Sequence, residues 1–115
     1  MTCDKQNLYV LFVCNESKLA ALRANVKERD GPVYNDDCVE LFIDRIGDEQ
    51  QYVHIVVNAL GTVYDSRKDL GVEWNAPLKV AVSRQADSWT AELSIPFETF
   101  GGFQNTDRFG EVEFK

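Results

Sequence analysis

Apolar and polar residues alternate with a period of two along most of this chain, which is the pattern of β-strands rather than of helices. The alternating runs lie at residues 8–14, 39–44, 52–58, 62–64, 78–83, 89–95 and 111–114. The first run is apolar on both of its faces, which is typical of a central strand that is covered on both sides. Most of the other runs carry polar side chains on one face, which predicts a polar outer surface.

Turn signals separate these runs, and helical signals are scarce. Residues 59–62 and 86–88 have the composition of turns. Apolar residues at spacings of three and four allow a turn or two of helix within 16–26. Pro96 ends its strand, and one helical turn is expected after it at 97–100. The pattern therefore predicts an all-β fold, an antiparallel β-sandwich of about six to eight strands with at most one or two short helical turns.

The length of 115 residues fits one hydrophobic core, so residues 1–115 are interpreted as a single β-sandwich domain. The net charge of −7 argues against a nucleic-acid partner, because phosphate backbones are bound by clustered Lys and Arg. No apolar stretch approaches the roughly 20 residues of a membrane span, so no membrane partner is expected. The sequence shows no signal peptide.

Catalytic and metal-binding motifs are weak in this sequence. His54 is the only histidine and lies in the middle of a predicted strand, where a structural role is more common than catalysis. The cysteines at positions 3, 14 and 38 lack metal-ligand spacing. Their odd number leaves at least one unpaired, and their pairing stays open. The chain is therefore expected not to be an enzyme.

Two polar clusters are candidates for a binding site. Residues 34–40 combine a tyrosine with several carboxylates, which suits either the edge of a binding site or a turn whose aspartates accept backbone N–H groups. Residues 65–69 and the following Trp74 form a loop-like stretch, where the tryptophan either contacts a ligand or caps the core. Trp89, in contrast, alternates with apolar residues and is assigned to the core.

Four segments, in order, resemble the carbohydrate-binding modules of the family 9-like type, within the DOMON-like group. Residues 29–44, which read RDGPVYNDDCVELFID, are similar to the family's aromatic and acidic signature. Residues 52–61, 74–82 and 89–97 are similar to the strands that follow it, the last of these through the pattern W, x, x, E, x, x, I, P, F. Either Gly102 stands where family members usually carry a second tryptophan, or residues 103–114 match the last strand of the family and the intervening segment is missing. Only seven residues precede Leu8, so the resemblance is to a module shortened at its N-terminus and near its C-terminus.

The resemblance implies a β-sandwich that serves as an accessory module of secreted or periplasmic glycan-degrading enzymes. Carried over by position, Tyr34 is a stacking aromatic and Glu40 a hydrogen-bonding carboxylate, with Asn58, Arg67 and Trp74 as further carbohydrate-binding residues. The resemblance also allows calcium at Asp36 and Asp37, and no other cofactor is expected.

The expected function is non-catalytic binding of a polysaccharide or oligosaccharide, at a chain end or as a short glycan. The alternative is a structural or protein-interaction domain without a sugar ligand, for which exposed Phe42 and Tyr52 would be suited. A haem-binding DOMON domain is disfavoured, because it needs an axial methionine and Met1 is the only one. A neighbouring enzyme domain, or a dimer through exposed edge strands, is a further expected partner.

Overall fold

The computed structural model describes residues 2–4, 6–16, 18–44, 52–68, 70–71, 75–100 and 111–114. Two antiparallel sheets pack face to face, as the sequence predicts. Their strands are β1 (Thr2–Cys3), β2 (Asn7–Asn15), β3 (Cys38–Asp44), β4 (Val53–Asn58), β5 (Val63–Arg67), β6 (Lys79–Arg84), β7 (Ser88–Pro96) and β8 (Glu111–Phe114).

The first sheet has the strand order β1-β2-β7-β6, and the second has the order β5-β4-β3-β8. The longest pairing joins β2 to β7, from Asn7 opposite Pro96 to Asn15 opposite Ser88. In the second sheet, β4 lies between β3 and β5, so side chains from three strands meet on each face. This register decides which residues share the outer surface described below.

The core lies between the two sheets and is built from every second residue of the strands. Trp89 is buried there, as its alternation predicts. The inward side chains of the first sheet include Leu8, Val10, Ala91, Leu93 and Ile95, and those of the second include Val39, Leu41, Ile43, Val53, Ile55, Val57 and Val63. Burial of this apolar area, at about 25 cal/mol per Å², is the main stabilising contribution to the fold.

The all-β class and the number of strands are confirmed, with some differences in detail. The run predicted at 62–64 is part of a strand that continues to Arg67, and the two-residue β1 was not predicted. In the described residues, the helical content consists of three single 3-10 turns at Leu19–Ala21, Val33–Asn35 and Phe97–Phe100. Two of these lie where the sequence predicts helical turns, and the turn at Val33–Asn35 is additional.

The prediction that β2 is covered on both faces is wrong. Leu11 and Val13 point away from the core and are 54% and 60% exposed. The strand is central within its sheet, but only its inner face packs against the second sheet. Within the part of the chain that the structure describes, no segment is packed over the outer face at these two residues.

The three cysteines are free thiols, which answers the pairing question left by the sequence. Cys3 is exposed, whereas Cys14 and Cys38 are half-buried in their strands. Burial, followed by the nearby carboxylates of Glu40 and the two aspartates before it, raises the pKa of Cys38 to about 11. Such a thiol stays protonated at neutral pH and is a poor nucleophile. Among the described residues, no helix is long and apolar enough to cross a membrane.

Core burial predicts unequal effects for two leucine truncations. Leu41 is buried in β3, so Leu41→Ala should lower the free energy of unfolding by about 2–5 kcal/mol. Leu11→Ala removes the same atoms from an exposed position and should change that free energy by less than about 0.5 kcal/mol. Urea denaturation of both variants measures the difference, and equal losses would contradict the assigned strand faces.

Candidate functional site

In the described part of the chain, the outer face of the second sheet has a covered half and a half whose side chains are partly accessible, here called the open half. On this face β3, β4 and β5 place Phe42 beside His54 and His54 beside Ser66. Val56 and Asn58 point to the same side, yet both are fully buried. The chain segment that covers them is 22–37, here called the strap, whose 3-10 turn Val33–Asn35 packs against this sheet.

One carboxylate joins the strap to the sheet. Asp36 Oδ2 accepts hydrogen bonds from the backbone N–H groups of Asn25 (2.9 Å) and Val26 (2.8 Å) and from Asn58 Nδ2 (3.0 Å). The Asn58 amide also donates to the Val26 carbonyl at 2.9 Å. Three N–H donors on one oxygen stabilise the charged form of the carboxylate. They therefore lower the pKa of Asp36, and the hydrogen bond from the Val26 N–H is the largest cause.

The acceptor side of Asn58 is also fully used. Its Oδ1 accepts the backbone N–H groups of Leu60 (3.0 Å) and Thr62 (2.9 Å), which closes the turn between β4 and β5. Gly61 in this turn has φ +84°, a backbone conformation that is unfavourable for residues with a side chain. Asn58 therefore fixes both the strap and the turn, and its buried amide has a structural role.

A second attachment holds the strap at the edge of the sheet. Arg29 donates to Asp65 Oδ2 at 2.7 Å and to the Ala76 carbonyl at 3.0 Å. The Asp30 backbone N–H donates to the Val63 carbonyl, and its carboxylate accepts the Asp65 N–H. Burial raises the pKa of Asp65, against the opposing effects of the Ala76 N–H and Arg29. The strap is thus attached to β4 through Asn58 and to the edge strand β5 through Arg29 and Asp30.

Tyr34 stands on the strap at the border between the covered and open halves. Its neighbour Val33 is fully buried and anchors the turn, while the Tyr34 side chain is 55% exposed. The Tyr34 ring meets Tyr64 edge-to-face, with 5.5 Å between centroids and 89° between planes. This contact leaves a large part of the Tyr34 ring open to solvent.

From Tyr34 a continuous series of ring contacts crosses the open half. Tyr64 contacts His54 at 5.7 Å, His54 stacks on Phe42 at 4.1 Å with nearly parallel planes, and Phe42 contacts Tyr52 at 5.9 Å. We call Tyr34, Tyr64, His54, Phe42 and Tyr52 the aromatic row. These contacts leave the last four rings half-buried, so the expectation of exposed Phe42 and Tyr52 is wrong.

A carboxylate lies beside the aromatic row. Glu40 Oε1 is 3.1 Å from His54 Nε2, and both side chains are partly accessible, at 18%. The His54 ring is therefore held by Glu40 at its Nε2 edge and by the Phe42 ring on one face. The open half therefore combines aromatic surface with hydrogen-bonding groups in a fixed arrangement.

The structure brings some of the predicted site residues together and separates others. Tyr34 and Glu40 share the open outer face, linked through the rings of the aromatic row. Arg67 lies opposite Val53, which places it on the other side of the sheet from His54. Asn58 is buried beneath the strap. Trp74 and the segment near Gly102 lie outside the described residues.

In each of the two aspartates predicted for calcium, Asp36 and Asp37, one carboxylate oxygen accepts N–H donors. Asp37 Oδ2 accepts the Arg23 backbone N–H at 2.7 Å, in addition to the donors on Asp36. The prediction that these aspartates satisfy backbone N–H groups is confirmed, but the donors lie at residues 23–26 and not within the turn itself. Within the described ranges, no group of three or more His, Cys, Asp or Glu side chains could hold a metal ion. Calcium at this position therefore stays a prediction, without support from the geometry.

Sequence reasoning missed most of the aromatic row. Tyr64, His54 and Phe42 come from three strands, and only the strand register places their rings in contact. The sequence did contain one signal for this arrangement. All three residues alternate with buried residues of their own strands, so all three side chains face outward.

The fold and this face together define a β-sandwich domain with an outward-facing aromatic surface next to a carboxylate. The family described as carbohydrate family 9 binding domain-like matches residues 1–114, and the chain belongs to this family. A solved structure of a candidate carbohydrate-binding protein from Bacteroides uniformis ATCC 8492 is similar, with a TM-score of 0.68 and 20% sequence identity. The similarity covers 96% of this chain and 57% of that chain, so this chain spans little more than half of the longer protein. A search of curated proteins gives no match.

The Asp36 junction predicts a pH-dependent stability. A lowered pKa in the folded state stabilises the fold above the unfolded value of about 3.9, and this contribution is lost as the pH falls through the folded value. Asp36→Asn removes the titration, so it should cost stability near pH 7 and cost progressively less below about pH 4. Urea denaturation across this range measures the difference between wild type and variant.

Asp87→Asn is the matched control, because Asp87 is exposed and should give no difference at either pH. Comparing each variant with wild type at the same pH cancels the opposite contribution of Asp65, whose raised pKa favours folding at low pH. A pH-independent cost of Asp36→Asn would contradict the charged junction.

Proposed function

We propose that this domain binds an oligosaccharide, or the end of a polysaccharide, on the open outer face of the second sheet, without catalysing a reaction on it. The observation that carries the proposal is the exposed Tyr34 ring at one end of an aromatic row that also holds a carboxylate. A pyranose ring has an apolar face and a rim of hydroxyl groups. An aromatic ring beside hydrogen-bond acceptors matches both features.

The strap supports this proposal because it fixes Tyr34 before a ligand arrives. Val33 is buried, Asp36 is bonded to the sheet, and Tyr64 supports the ring from the side. A preorganised ring loses little conformational freedom on binding, and more of the contact energy therefore appears as affinity. Membership of a carbohydrate-binding family supports the ligand class.

Glu40 is the proposed hydrogen-bond acceptor for sugar hydroxyl groups. Its Oε1 is oriented by His54, and the partial exposure of both side chains leaves room for a ligand to reach them. Exposed hydrogen bonds contribute only about 1 kcal/mol each, so weak affinity is expected. Glycoside hydrolysis generally uses a pair of carboxyl groups. The partner of Glu40 here is instead an imidazole that is stacked on Phe42.

The wider biological role is proposed from the family. The domain would serve as an accessory module of a glycan-degrading protein, in an extracellular or periplasmic location. A neighbouring enzyme domain is the expected partner within the same protein, in keeping with the greater length of the solved relative.

Tyr34→Ala should weaken saccharide binding about tenfold or more, the equivalent of about 1.4 kcal/mol, because the stacking surface is removed. Isothermal titration against xylo-, cello- and chito-oligosaccharides measures this effect. Tyr34→Phe is the matched control and should retain most of the affinity, since it keeps the ring. The proposed function is contradicted if wild-type protein binds no member of this panel at millimolar concentration. The assignment of Tyr34 to the site is contradicted if Tyr34→Ala binds with wild-type affinity.

Glu40→Gln tests the polar half of the same site. The amide preserves size but loses the charge, so binding should weaken severalfold while the free energy of unfolding changes by less than about 1 kcal/mol. Unchanged affinity in the same titration would remove Glu40 from the site.

A further inference from the structure

A second concave surface lies on the opposite side of the molecule, on the outer face of the first sheet. Its volume is about 570 Å³, within the range of small-molecule sites. It crosses strands β1, β2, β7 and β6. The residues that line it are Thr2, Tyr9, Leu11, Lys79, Ala81, Glu92 and Ser94, together with the inward-facing Val10, Val80 and Leu93. We call it the first-sheet groove.

The strand register arranges the outward side chains of this groove in two rows. One row runs from Thr2 through Tyr9 and Ser94 to Lys79, and the next contains Leu11, Glu92 and Ala81. Long side chains at Tyr9, Lys79 and Glu92 stand beside small ones at Ala81 and Ser94. This difference in height makes the sheet surface concave, and strand backbone forms part of the floor.

The Tyr9 ring in this groove is held in a fixed position. Its hydroxyl group donates to Asp4 Oδ2 at 2.6 Å, while Asp4 Oδ1 accepts the backbone N–H groups of Gln6 (2.8 Å) and Asn7 (2.7 Å). The hydrogen bond to Asp4 raises the pKa of the Tyr9 hydroxyl, so the ring stays neutral at physiological pH. An aromatic ring held in this way is prepared for a ligand, as Tyr34 is on the strap.

The groove suits a small amphipathic ligand better than a protein surface. Its apolar groups, Tyr9, Leu11 and Ala81, alternate with an ammonium group, a carboxylate and two hydroxyl groups. Beyond the groove, Val13 is the only large exposed apolar side chain that the described part of this sheet face adds. A stable protein interface buries about 800 Å² on each partner, and two exposed aliphatic side chains are a small contribution to such an area.

We propose that the first-sheet groove is a second saccharide-binding site, which holds an oligosaccharide across the strands with one sugar ring against Tyr9 and hydroxyl groups bonded to Glu92 and Lys79. The choice of a saccharide as ligand rests on the function proposed above. The two sites lie on opposite faces of the sandwich, so they bind independently and can engage separate glycan chains. Two weak sites on one domain raise the overall avidity for a polysaccharide surface.

The test is a titration of ¹⁵N-labelled protein with xylohexaose and cellohexaose, followed by NMR chemical-shift changes. Wild type should show two groups of shifted amides, one around Tyr9 and Leu93 and the other around Tyr34 and His54. Ala81→Lys fills the groove and should weaken the first group at least tenfold while leaving the second unchanged. Ser83→Lys places the same side chain on the same strand outside the groove and should behave as wild type.

Tyr34→Ala separates the two proposals. It should abolish the amide shifts around the aromatic row and preserve the amide shifts around Tyr9. Shifts confined to the aromatic row would overturn the groove as a saccharide site, leave the proposed function standing, and direct attention to a protein partner for Leu11 and Val13. Shifts confined to the groove would support the groove as a saccharide site and would overturn the site assigned to Tyr34. The absence of any shift with either hexasaccharide, and with a chito-oligosaccharide titrated in the same way, would overturn both proposals.

Discussion

The hydrogen-bonded junction between Asp36 and Asn58 is the interaction on which the outer face of the second sheet depends. Asn58 is fully buried, and each of its polar atoms is bonded either to the strap or to the turn after β4. Because an unpaired buried amide would cost about 1–3 kcal/mol, this residue requires the strap to be in place. The strap in turn carries Tyr34. A structural contact beneath the sheet surface therefore sets the position of the ring that is proposed to meet the ligand.

The same junction explains why acidic residues are concentrated near an aromatic ring in the segment 34–40. Asp36 and Asp37 accept backbone N–H groups, whereas Glu40 faces outward beside His54. One short segment thus contains carboxylates with different roles, and their hydrogen-bond partners distinguish them. The three N–H donors on Asp36 Oδ2 give this carboxylate a structural role.

Much of the fold could be predicted from the sequence, because period-two alternation is a direct consequence of strand geometry. The two-residue β1 is too short to show a period. The exposure of Leu11 and Val13 could not be predicted either, since an apolar outer face has the same alternation whether or not another segment covers it. For the site, resemblance to the family gave Tyr34 and Glu40 a shared role. The burial of Asn58 and the ring contacts of Tyr64 depend on strand register and on the path of the strap, which are long-range properties.

The most direct test of the proposed site is a crystal structure of the domain with a bound oligosaccharide from the xylose or glucose series. The arrangement described here predicts a sugar ring lying on the exposed face of Tyr34, with at least one hydroxyl group within hydrogen-bond distance of Glu40 and the strap in its present position. An oligosaccharide that binds the domain while leaving both Tyr34 and Glu40 without contact would contradict this arrangement.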